Sequence, residues 1–176
     1  MYEYFKNLPK KLYGKELPDT LEEMEPLFAA VAGLRESGDQ DILPLALFAR
    51  AFCYRIQNQF PQAWDDLEEA REIAERGSMK LWLVDYHLEA VRLRIAEFGF
   101  RNADKPQELN RDEMLAQIKT DMEQADQLVK ETGYHRRDPE VELGYAGLFF
   151  AQGDQTKAQE HLAKAKQMLD KMGIRE

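Results

Sequence analysis

Apolar residues recur at intervals of three and four along most of this chain, and four glycines interrupt the pattern after similar phrases: LRESG ending at Gly38, IAERG at Gly77, LVKETG at Gly133 and MLDKMG at Gly173. An aliphatic residue stands four positions before each glycine (Leu34, Ile73, Val129, Leu169). An alanine stands seven or eight before it (Ala30, Ala70, Ala125, Ala165). Such a period predicts helices, and a glycine in the left-handed conformation is a common way to end one. The chain therefore reads as one helix end written four times, at spacings of 39, 56 and 40 residues.

Each interval divides into two helices. In the first, Leu43, Leu47, Ala51 and Tyr54 form a stripe, NQFP at 58–61 breaks it, and Ala63, Leu67, Ala70 and Ala74 form the next. The last interval pairs Val141, Tyr145, Leu148 and Phe149 with Ala158, Leu162, Ala165, Leu169 and Met172 across the break QGD at 152–154. The middle one pairs Val84, Leu88, Val91 and Ile95 with Met114, Ile118, Met122, Ala125 and Val129, and its extra length falls in FGFRNADKPQELN, which predicts a long loop at about 99–111. Ahead of Gly38, LEEMEPLFAAVAGLRE predicts a lone helix capped by Asp19 or Thr20, with Pro26 pulling its start toward Glu25. Residues 1–18 differ in kind: Lys6, Lys10, Lys11 and Lys15 alternate with Tyr2, Tyr4, Phe5, Leu8, Leu12 and Tyr13, an aromatic and basic arm.

Helix pairs of this length, with small residues where two helices cross, resemble the tetratricopeptide repeat (TPR). Tyr145, Ala146, Phe149, Gly153, Ala158, Leu162 and Ala165 match its signature in order and spacing, as do Leu47, Ala51, Tyr54, Phe60, Ala63, Leu67 and Ala70. The chain departs from the family in three ways: no unit ends in the expected proline, Arg50 replaces an aliphatic residue, and Arg92 replaces a small one. The period near 40, with RGSMKLWLVDYHLEA and ETGYHRRDPE, is similar to the helical tails of bacterial signalling ATPases and regulators. The resemblance covers residues 20–173. It implies an all-α fold, a right-handed α-solenoid of antiparallel helix pairs with about seven helices over 19–176.

Composition narrows the chemistry. The net charge of -9, from 33 acidic and 24 basic side chains, opposes binding to nucleic acid or an anionic membrane. No apolar run approaches the ~18 residues of a membrane span, and the start lacks a signal-peptide pattern, so a cytoplasmic protein is expected. Two serines (Ser37, Ser78), one cysteine (Cys53) and three histidines (His87, His135, His161) leave nucleophiles scarce. No phosphate-binding glycine loop is present. The expectation is a protein that is not an enzyme, with no catalytic residue, metal or cofactor.

Several features compete as sites. The histidines lack partners at metal-ligand spacing, except His87 near Asp85 and Glu89. Cys53 reads as a small buried hydrophobe. The acidic run Asp65, Asp66, Glu68 and Glu69 reads as a solvated face, with Glu68 supporting Arg71. At Tyr134, His135, Arg136, Arg137 and Asp138 the chain joins two helices, with Asp138 as cap and Pro139 first in the helix. With Arg92 and Glu89 this segment also offers a polar recognition patch. In the TPR family the first helix of each pair lines a concave groove, which maps here to Phe48, Phe52, Arg55, Glu89, Leu93, Gly147 and Phe150. The family's carboxylate clamp is missing at these offsets, so chaperone-tail binding is not implied.

The expected function is a scaffold that binds a partner protein or peptide through this concave face. The alternative is a sensory module that holds a small ligand between the polar patch and the loop and controls a fused or partner effector. The arm at 1–18 is expected to dock on its own solenoid or to join two copies as a homodimer.

Overall fold

The computed structural model describes residues 25–104 and 111–173, with side chains described for all of these except 100–104. Among them the chain is helical throughout: α1 (Glu25–Ser37), α2 (Leu43–Ile56), α3 (Phe60–Arg76), α4 (Lys80–Asp104), α5 (Arg111–Thr132), a 3-10 turn (His135–Arg137), α6 (Asp138–Gln152) and α7 (Gln155–Lys171). The arm at 1–18 and the cap at Asp19 or Thr20 lie outside the described residues.

Proline marks the first turns of α2, α3 and α6 (Pro44, Pro61, Pro139), where its missing N–H would be unpaired in any case. At α7 the Asp154 carboxylate accepts a hydrogen bond from the Lys157 backbone N–H at 3.1 Å and caps the helix. Gly38, Gly133 and Gly173 adopt the expected left-handed stop, with φ of 71°, 68° and 75°. At the second stop the left-handed residue is Ser78 (φ 52°), whereas Gly77 keeps φ -84°. Two further expectations shift. Helix α4 continues to Asp104, so the first part of the predicted loop is helical. Asp138 is the first residue of α6 instead of its cap, and its carboxylate meets His135.

Each helix packs on the next in sequence, α2 also packs on α4, and α4 on α6. Two apolar cores result, and α4 serves both. Its residues Tyr86, Ala90 and Leu93 face a core built from Val31, Leu43, Leu47, Ala63, Leu67 and Ile73. Its residues Val84, Leu88 and Val91 face Met114, Ile118, Met122, Val129, Val141 and Leu148. Each fully buried aliphatic side chain contributes roughly 1.5–3 kcal/mol. The small residues anticipated at crossings are buried: Ala51, Ala63, Ala146 and Ala158 are each 1% exposed or less. Helices α5 and α6 approach closely at Gly144, where a Cβ would stand 2.2 Å from Met122 Sδ.

Candidate functional site: a charged ladder across three helices

Two apolar stripes on α4, at 84-88-91 and 86-90-93, leave a third between them with the same spacing: Asp85, Glu89 and Arg92. These charges face both neighbouring helices. Arg55 of α2 donates to Glu89 at 2.6 Å, and Arg92 donates to the other oxygen of Glu89 at 3.1 Å. Arg92 also pairs with Glu140 of α6, Glu140 with Arg137, and Arg137 with Asp85 at 2.7 Å. The result is an alternating chain, Arg55, Glu89, Arg92, Glu140, Arg137, Asp85, that ties α2, α4 and α6 together. Three guanidiniums balance three carboxylates, which is what makes burial of the set tolerable.

Burial and pairing oppose each other along the ladder. Burial pushes the Asp85 carboxyl up to about 6, because Glu140 nearby adds to the effect and Arg137 and Arg92 only partly offset it. Burial would raise Glu140 as well, but it sits between two guanidiniums, Arg92 and Arg137, which hold its carboxyl below the usual range. Arg92 feels the same contest: burial disfavours its charge, and Glu140 and Glu89 more than restore it. Each of the six groups pairs with at least one other, so the ladder is a set of charges that hold one another in place.

The same three helices carry apolar side chains that are partly or about half exposed. Phe52 lies under the Arg55 guanidinium, 4.9 Å from its ring centre, and Leu45 stands two turns earlier on α2, 53% exposed. Leu81, 46% exposed, is one turn before Asp85 on α4. On α6, Phe150 is 51% exposed.

Of the residues that the sequence nominated for the groove, Phe52, Arg55 and Glu89 meet at the ladder, and Phe150 is open to solvent. Phe48 and Leu93 are corrections. Phe48 packs against Trp82 with ring centres 6.2 Å apart, Leu93 is 1% exposed, and both belong to the first core. Gly147 is buried. From the polar patch, Arg92 and Arg137 belong to the ladder, and Tyr134 supports Arg137, with its ring centre 5.7 Å from the guanidinium carbon. His135 pairs with Asp138 at 3.1 Å at the surface, and Arg136 is exposed. Groove and patch, two candidates in the sequence, thus share one set of ion pairs. Asp85 and Glu140 were missed as members, as were Leu45 and Leu81 at its border. The signal that could have found Asp85 is the 85-89-92 spacing between two apolar stripes.

The acidic run is a further correction, because only Asp65 is fully outward. Asp66 is 4% exposed and takes a two-pronged bond from Arg50 at 2.7 and 2.6 Å. Glu69 accepts from Arg35 at 2.9 Å. Glu68 accepts from Arg71 at 2.9 Å, as expected, and from the Tyr86 hydroxyl at 3.0 Å. An open cleft of about 500 Å³ between α3, α4 and α5 is lined by Glu68, Arg71 and Tyr86 together with His87 and Asp121. Burial and the Glu68 carboxylate push the Tyr86 phenol well above its ordinary value. His87 pairs with Asp121 of α5 at 2.9 Å instead of with Asp85 or Glu89, and Arg94 holds the other oxygen of Asp121 at 3.1 Å. His161 stacks on Phe149 and bonds Glu142 at 2.7 Å. Cys53 is 5% exposed, and burial raises its thiol to about 11, which suits an inert packing residue. Compared with protein-family models, with curated proteins and with solved structures, the chain matches none.

Proposed function

We propose that the chain is a TPR-like α-solenoid that binds a protein or peptide segment across the face formed by α2, α4 and α6, the first helices of three antiparallel pairs. Support for the stacking comes from the order of contacts between neighbours. Along α4 and α5, Lys80 meets Glu131, His87 meets Asp121 and Arg94 meets Gln117, so one sequence ascends as the other descends. Along α3 and α4, Trp64 meets Glu97 and Glu68 meets Tyr86 in the same sense. First helices packed on one another leave a common face, and the packing of α2 on α4 and of α4 on α6 fits that arrangement.

The observation that carries the binding reading is that each of the three helices carries a large apolar side chain about half exposed, Leu45 on α2, Leu81 on α4 and Phe150 on α6. Exposed large apolar side chains on one face mark an interaction surface, and the fixed charges set orientation and exclude ill-matched partners. A helical or extended partner with apolar side chains at intervals fits such a face. The test begins with a peptide selected from a displayed random library. Phe52→Ala, Phe150→Ala, checked for folding by circular dichroism, should bind it at least 30-fold more weakly, since a central aromatic anchor carries about 2 kcal/mol or more. If the folded double variant keeps the peptide while His135→Ala, Arg136→Ala, which changes only exposed side chains of the junction, loses it, the junction is the site and the groove reading fails.

A further inference from the structure

Helix α7 has an edge that no other helix covers among the described residues. We propose that this edge joins two copies of the chain, α7 crossing α7 of a second copy antiparallel about a two-fold axis that sets Lys166 of each against Asp170 of the other. The proposal rests on the helix pairing read above, and not on the peptide-binding face.

Comparison of the three second helices reveals the edge. Each carries an apolar stripe with the same 4-3-4 spacing: Ala63, Leu67, Ala70 and Ala74 on α3, Ile118, Met122, Ala125 and Val129 on α5, and Ala158, Leu162, Ala165 and Leu169 on α7. On α3 and α5 every one of these residues is 1% exposed or less. Two first helices pack there against each second helix, α2 and α4 against α3, α4 and α6 against α5. On α7 the two alanines are as deeply buried, but Leu162 and Leu169 are partly exposed. Among the described residues α7 packs extensively on α6 alone. Its leucines thus lack the second neighbour that covers their counterparts, and apolar surface of this kind gains from being covered.

The shared register also identifies what borders the open side. On α3 the side toward α4 carries Glu68, which accepts from the Tyr86 hydroxyl, and Arg71, whose guanidinium carbon lies 5.9 Å from the Tyr86 ring centre. Glu75 follows one turn later. The residues in the same places on α7 are Ala163, Lys166 and Asp170, all exposed. Ala163 leaves room for a close crossing, and Lys166 and Asp170 enter no ion pair among the described residues.

Self-complementarity selects a second copy as the occupant. In a two-fold contact residue i meets j while j meets i. A base and an acid one turn apart on the same edge therefore answer each other twice when two such helices cross between them. The crossing brings Leu169 of the two copies together and covers both edges in one step. Charge at this end also permits the approach: the chain carries a net charge of -9, yet α7 holds four lysines against two acids, so repulsion between copies is weak here.

Sedimentation velocity of the full chain, from low to several hundred micromolar, tests the contact. The average mass should rise from 20.5 kDa toward twice that value. Lys166→Glu and Asp170→Lys each place like charges opposite one another at both ends of the crossing, and each should weaken association about tenfold. The double variant Lys166→Glu, Asp170→Lys exchanges the charges and should restore it. Both positions are exposed, so circular dichroism should stay unchanged through the series. A parent that remains monomeric at every concentration overturns the second copy as occupant. Association that the single variants retain, or that the double variant does not regain, overturns the α7 crossing. Neither a peptide nor any residue of α2, α4 or α6 enters this test. A monomeric chain that still binds the selected peptide therefore removes this proposal alone, and a dimer that ignores the peptide removes only the other.

Discussion

Replacing Arg92 with methionine tests the ladder at its centre. Arg92 bridges Glu89 and Glu140, which are 5% and 7% exposed. Methionine has similar length and no charge, so packing changes little while two buried carboxylates each lose a partner. Breaking a buried pair in this way costs about 3–5 kcal/mol. Here Glu89 keeps Arg55 and Glu140 keeps Arg137, so the expected loss sits near the low end, about 3 kcal/mol. The exposed pair Lys80 with Glu131, at 57% and 39% side-chain exposure, is the control, and Lys80→Met should cost no more than about 1 kcal/mol. Urea unfolding followed by circular dichroism at pH 7.5 and pH 5 supplies the comparison. In the parent, Glu140 is held low, and its stabilisation is lost only as pH falls through that depressed value. In Arg92→Met the opposition to burial is weaker and the carboxyl rises, so the folded variant takes up protons more readily. Its deficit should therefore narrow at pH 5. A loss under about 1 kcal/mol at pH 7.5, or a deficit that widens on acidification, would refute the reasoning.

Other predictions follow from single contacts. Gly33→Ala on α1 meets nothing within 4 Å and should raise stability by about 0.5–1 kcal/mol, whereas Gly144→Ala places a methyl 2.2 Å from Met122 Sδ, the end of a buried flexible side chain that must shift, and should lose that gain. Thermal melts that rank the two alike would contradict the close contact of α5 and α6. Asp85 has its carboxyl raised to about 6, so its ionised form is the unfavourable one, and its contribution improves as pH falls through 6 toward 4. Asp85→Asn should remove this dependence, up to about 3 kcal/mol, and parallel stability curves for parent and variant would count against it. Ala63→Leu or Ala158→Leu should each overpack a crossing and cost roughly 1–3 kcal/mol, and unchanged melting of either would sink the assigned crossings.

Helix positions and core membership were legible wherever one stripe per helix decides burial. Leu47, Ala63, Leu67, Ile118 and Ala165 lie where the period puts them. Legibility failed where a helix serves two neighbours at once. On α4 nearly every direction is occupied, so a family offset could not separate buried Leu93 from Glu89 on the ladder. The departures at Arg50 and Arg92 looked like weak matches to the repeat, yet each is answered by a distant acid, Asp66 for Arg50 and Glu140 for Arg92. A local pattern cannot reveal a partner 48 residues away. For the same reason Asp66 looked solvated, its role depending on the guanidinium that α2 presents to it. The stop at Gly77 shows the limit of turn chemistry: a serine one position later takes the left-handed conformation that glycine would adopt most easily.

The central claim is that one face, α2 with α4 and α6, receives a partner segment. Amide chemical-shift mapping of the labelled chain with the library-selected peptide tests it most directly. The account predicts that the largest perturbations cluster at Leu45, Phe52, Leu81, Arg92 and Phe150. Perturbations confined to the cleft between α3, α4 and α5, at Glu68, Arg71, Asp121 and Gln124, would contradict it.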